Sequence, residues 1–217
     1  MPRSALQKAR EAPSSTKARI LAAAEEVFAA RGFEGASTRE IAASAGVNIS
    51  SLHYHWESKE TLYFAVFENI YDKIVALVES AIPAMPRERP ERRAVIDEAM
   101  GSLFDFFAEH PNVAKLFVRR LLEATEGTSE IERDILLPAW RRFARWTYEL
   151  GGHKHEELDA QIFMLTVNSV MMLFMLDSQQ FVALLGDRLR SPALQPRLRA
   201  HIIGLVHTLL NADRSEA

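Results

Sequence analysis

The chain has 217 residues, 48% of them hydrophobic, so it can bury a sizeable core as one large domain or two small ones. It contains no cysteine, which excludes disulfides, thiol nucleophiles and thiolate metal sites. The formal net charge of −3 hides an asymmetry: residues 1–19 carry Arg3, Lys8, Arg10, Lys17 and Arg19 against Glu11 alone, a basic lead suited to phosphate.

Residues 1–15 read as a basic, flexible arm. A first helix is predicted from about Thr16 to Arg31, with Ile20, Ala24, Val27 and Phe28 on one face and a stop at Gly32. The next stretch, Ser37 to Lys59, has the spacing of two short helices around a tight turn. Thr38 is the expected N-cap of the first, and Ile41, Ala42 and Ala45 form its apolar face. Gly46 tolerates the left-handed backbone that turns the chain, and Val47 packs beneath the turn. Asn48 offers a second cap, so another helix begins near Ile49, with Leu52 and Trp56 as its buried stripe. That leaves Ile49, Ser50, Ser51 and His53 facing outward at its start. A helix-turn-helix presents this part of its second helix to base edges in a DNA major groove. A longer helix is predicted from Lys59 to about Ser80, carrying Leu62, Val66, Phe67, Ile70 and Ile74 at helical spacing.

These residues carry a family resemblance. Ala24, Phe28, Gly32 and Phe33, then Thr38, Ile41, Ala42, Gly46 and Val47, then Leu52-His53-Tyr54-His55-Trp56-Glu57-Ser58-Lys59 with Leu62 resemble the N-terminal domain of the tetracycline-repressor (TetR) family of bacterial regulators. The resemblance covers roughly the first quarter of the chain. Two positions depart from the family pattern: His53 where the family usually has tyrosine, and Glu57 where lysine is common.

After the proline-rich stretch Ile82–Pro90, helices are expected over Glu91–Glu109, onward from Pro111 to about Ala124, and through Ile131, Trp140 and Tyr148 with a bend at Pro138. A very apolar helix from about Glu156 to Leu185 and a last one from Ala193 to about Leu210 follow. The longest apolar run, Val170 to Leu176, is too short to span a bilayer, and the N-terminus has no apolar leader-like stretch. The expected fold is all-α: a helix-turn-helix head over residues 16–60 and a helical ligand-binding and dimerisation domain over 61–217, joined by the helix 59–80. No membrane association and a cytoplasmic location are expected.

The functional expectation is a DNA-binding regulator, a repressor released from a palindromic operator by a small hydrophobic effector. Thr38, Tyr54, His55 and Lys59 would hold phosphates, while Arg39, Ile49, Ser50, Ser51 and His53 would meet bases. Phe104, Phe107, Phe117, Leu121, Trp140, Phe143, Phe163, Met164, Val167 and Met171 are the candidate effector-lining residues, methionine and aromatics suiting adaptable apolar pockets. His110, Arg119, Asn168 and Gln180 are candidate polar anchors. The resemblance implies a homodimer through the last two long helices, about 156–185 and 193–210. No cofactor, metal or catalytic motif is expected: His153-Lys154-His155-Glu156 follows two glycines and reads as a hydrated loop, and His201 and His207 share no helix face. A helical carrier or enzyme, and a DNA-binding dimer with no effector, are the rival readings.

Overall fold

The computed structural model describes residues 2–12, 14–81, 89–123, 130–150 and 157–212. Among these the chain is helical, with no strand. The helices are α1 (Pro2–Glu11), α2 (Thr16–Gly35), α3 (Thr38–Ser44), α4 (Ile49–His55), α5 (Lys59–Ala81), α6 (Arg89–Glu109), α7 (Pro111–Glu123), α8 (Leu137–Leu150), α9 (Glu157–Met175), α10 (Gln179–Leu185) and α11 (Gln195–Ala212), with a π-helical turn at Glu132–Leu136.

Local chemistry sets most of these ends. Ser15 caps α2 by accepting from the Ala18 amide. Ser37, not Thr38, caps α3, accepting from the Glu40 amide at 3.1 Å, and Thr38 is the first helical residue. Asn48 caps α4 through a 2.7 Å bond from the Ser51 amide. Ser58 and Thr61 cap the start of α5 reciprocally, each side-chain oxygen accepting from the other's amide at 3.0–3.1 Å. Pro111 opens α7, where its missing N–H is no loss. The bend expected at Pro138 is a change of register: the π-helical turn stands immediately before it, and proline has no N–H for the regular i−4 bond.

The long apolar helix predicted over 156–185 is two helices. Asp177 stands at φ 48 between α9 and α10, its carboxylate accepting from the Leu189 amide at 2.8 Å, and Ser178 caps α10. Asp and Ser compete for backbone groups, and here they end one helix and start another.

The chain folds into two compact units that interleave in sequence, Met1–Lys73 with Lys115–Ile135, and Ile74–Ala114 with Leu136–Ala217. The units therefore do not divide at residue 60. The start of α5, most of α7 and the π-helical turn belong with the head.

In the first unit Phe28, Ile41, Leu52, Trp56, Leu62 and Phe67 are fully buried. Aromatic rings run through it edge to edge, with Tyr63 4.8 Å from Phe28 and 5.0 Å from Phe67, and Phe117 of α7 continues the row 5.9 Å from Phe67. The segment read as a flexible arm contains α1, which buries Leu6 and Ala9. Its Arg10 pairs with Asp72 at 2.8 Å and donates to Asn69 of α5 at 3.1 Å.

In the second unit α6, α9 and α11 meet around Ile96, Val167 and Val206, with Met100, Phe163, Leu209 and Leu210 packed against them. Asp105–Arg199 at 3.2 Å and Asp97–His207 at 2.5 Å tie α6 to α11. The Arg199 guanidinium lies over Gly101, where a Cβ would make it shift. On α9, Leu158, Ile162, Leu165 and Leu173 are exposed. Leu158–Met175 is long and apolar enough, by length and composition alone, to cross a membrane, although no such span was expected from the sequence; core helices of soluble proteins pass the same test. Its Asp159, Gln161, Thr166, Asn168 and Ser169 interrupt the apolar surface.

Candidate nucleic-acid interface

The reading surface is built from inside outward. Leu52 and Trp56, 0% and 2% exposed, fix α4 against the head, so the residues between them in helical phase must face away. Arg39, Ser50, His53 and Tyr54 are exposed; Thr38, Ile49, Ser51 and His55 are half-buried at the edges of the same elements. Tyr54 is 85% exposed, its ring meeting only the edge of the neighbouring His55 ring at 5.1 Å among the described aromatic contacts. Gly46, at φ 66 with open space around it, makes the turn between α3 and α4, and the Val47 amide closes it by donating to Ala42 O at 2.9 Å. The predicted DNA-facing residues other than Lys59 are thus brought together on α3 and α4.

Lys59 is drawn inward. Its ammonium donates to Phe33 O at 2.8 Å and Ala36 O at 3.2 Å and lies 4.3 Å from the centre of the Phe33 ring. Two of its three hydrogens are used to tie α5 to the junction between α2 and α3. The sequence showed a lysine at the end of a helix-turn-helix, but nothing in it revealed two carbonyls some 25 residues upstream.

His55 is held below the ordinary histidine pKa, first by burial and second by the charge of Lys17. Its Nδ1 is buried without a partner. The imidazole is therefore neutral at neutral pH, and Lys17, from the first turn of α2, lies near the end of α4. Glu57 is exposed just beyond the helix.

With this geometry in place, comparison with known proteins is informative. Residues 20–66, from within α2 to within α5, match the model of bacterial regulatory proteins of the tetR family. The head of the chain is similar to that of TetR-family regulators. The HTH-type transcriptional activator FasR of Mycolicibacterium smegmatis is 37% identical over 94 residues, 43% of this chain and 41% of FasR. The HTH-type transcriptional regulator RutR of Escherichia coli K12 is 33% identical over 111 residues, 51% of this chain and 50% of RutR. The chain thus spans about half or less of the curated relatives it matches. A TetR-like transcriptional regulator from Rhodococcus sp. RHA1 has the same fold, with a TM-score of 0.66 at 16% identity over 93% of this chain and 97% of that one. The family model matches in the head, and the chain as a whole shares the fold of the solved regulator.

The predicted effector-lining residues are split. Phe104, Phe107, Trp140, Phe143, Phe163, Met164, Val167 and Met171 lie in the second unit, whereas Phe117 and Leu121 lie in the first. Phe117 packs on Phe67 and Tyr71, and Leu121 is 61% exposed. Arg119, a candidate anchor, instead donates to the carbonyls of Ala29 and Ala30. His110 is occupied by its own helix, its Nδ1 donating to Phe106 O at 2.8 Å. The stretch His153–Glu156 lies outside the described residues; among those described no cluster suited to a metal occurs.

Proposed function

We propose that this protein is a transcriptional regulator of the TetR family that places α4 in the major groove of an operator. The observation that carries the proposal is the exposed set Arg39, Ser50, His53 and Tyr54, held on two capped helices whose inner faces are fully buried. Thr38, Tyr54 and His55 face phosphates; Arg39, Ile49, Ser50, Ser51 and His53 face base edges. Arg39 is suited to guanine and Ile49 to a thymine methyl. Lys59 holds the head together and keeps one hydrogen for a phosphate.

The working form is a homodimer on a palindromic site. Its support is the row of exposed leucine and isoleucine on α9, too apolar to face water, with α11 of the same unit beside it. An apolar effector in the second unit releases the dimer by shifting α5, which mismatches half-sites about 34 Å apart. The protein acts in the cytoplasm, as a repressor and not as an enzyme.

FasR is named an activator, so the direction of control needs its own measurement. DNA selected from a random library by the full-length protein should yield an inverted repeat. A reporter carrying that repeat should then be silenced when the protein is expressed. Enrichment of no sequence overturns DNA reading, a rise in reporter output overturns repression alone, and an operator without symmetry overturns the dimer.

A further inference from the structure

The junction between α2 and α3 is held by a part of the chain far outside the matched head. α2 breaks at Gly32, whose φ of 74 and ψ of 177 are not helical. The end of a helix concentrates carbonyl groups and partial negative charge. Arg119 of α7 meets that end with its guanidinium, Nε donating to Ala29 O at 2.9 Å and an Nη donating to Ala30 O at 2.8 Å. One turn further along α7, Glu123 accepts from the Phe33 amide at 3.5 Å, just past the break. Its carboxylate occupies the space that a Cβ at position 32 would need. Gly32 is favoured for its positive φ, and a Cβ there would also make the Glu123 carboxylate shift.

Arg119 and Glu123 are four residues apart and share one face of α7. Their partners lie about 90 residues upstream. The position of this junction passes directly to the reading helices, since Ser37, the cap of α3, is five residues beyond Gly32. Beside the clamp Arg120 forms a bidentate pair with Glu132 of the π-helical turn at 2.6 and 2.7 Å, which fixes α7 against the segment that follows it.

We infer that Arg119 and Glu123 are positioning residues for DNA reading, a clamp through which α7 sets the angle of α3 and α4. The inference rests on the DNA-binding reading above. α7 starts in the second unit and ends in the first, so the clamp residues lie on a helix that, like α5, carries the chain from one unit to the other.

The test uses the full-length protein and a duplex selected from a random library by the wild type. Arg119→Met should weaken binding by about tenfold, because the two carbonyls regain only water. The dependence of log K on log salt should stay the same, since no phosphate contact is lost. Arg119→Lys should recover part of the affinity. Unchanged binding by Arg119→Met overturns the clamp. So does a fall in the salt slope of about 0.9, which makes Arg119 a phosphate ligand. Hydrogen exchange covers a variant that folds poorly: in Glu123→Gln the amides of residues 32–37 should exchange faster while those of α9 and α11 do not change. Equal exchange at residues 32–37 overturns the clamp. If the wild type selects no duplex, the DNA-binding reading fails and the exchange result alone decides the clamp.

Discussion

Lys59→Met separates a strut from a DNA contact at the position where the two readings differ most. The substitution keeps the length of the side chain and removes the ammonium, leaving Phe33 O and Ala36 O without their donor. A hydrogen bond from a charged group contributes roughly 1.5–3 kcal/mol, and a cation over a ring about 0.5–1 kcal/mol at a partly exposed site. Lys59 is half-buried and both carbonyls regain some water, so the combined loss should be about 2–3 kcal/mol. For a chain of this size that corresponds to a Tm lower by roughly 5–10 °C. Thermal unfolding followed by circular dichroism measures it. Operator titrations over a salt series should show a slope change well below the ~0.9 of a full phosphate contact. A variant with unchanged Tm and a slope lower by ~0.9 would show that Lys59 points at DNA and that the strut is wrong.

Asn48→Ala should cost about 1 kcal/mol by removing the α4 cap and should weaken operator binding in gel-shift titration; unchanged binding would mean the cap does not set the reading helix. Burial pushes Tyr63 up to about 12. The unfolded chain ionises near pH 10 first, so stability present below pH 10 should be lost between pH 10 and 12, by up to about 3 kcal/mol. Tyr63→Phe should flatten that part of a denaturant-stability profile, and an equally steep profile would refute the assignment. His55 works at the other end: its folded pKa is lowered, so the unfolded chain binds a proton more readily and stability should fall as pH drops below 6.5. A midpoint that stays level from pH 7 to 5 would contradict this. Leu165→Asp on the exposed face of α9 should convert the proposed dimer to a 24.5 kDa monomer in light scattering; a species of twice that mass would place the interface elsewhere.

Much of the head is legible locally. Gly46, Asn48, Leu52 and Trp56 announce the turn, cap and stripe because each acts on neighbours within a turn of helix, and all four behave as their chemistry suggests. The cap of α3 was misplaced by one residue, since Ser37 and Thr38 are chemically alike and only backbone geometry separates them. The single long helix expected over 156–185 failed at Asp177, where hydrophobicity on both sides concealed a turn held by the Leu189 amide.

The sequence by itself determined the all-helical character, the positions of the reading helices and the family of the head, because periodicity, caps and turn glycines are short-range signals. Only the tertiary structure decided what the long charged side chains do. Lys59 and Arg119 looked like candidates for DNA and effector, yet together with Glu123 they converge on the end of α2 from helices that are distant in sequence. The physical reason is that a charge is satisfied by whichever unpaired carbonyl or amide the fold brings near, and no local pattern encodes that neighbour.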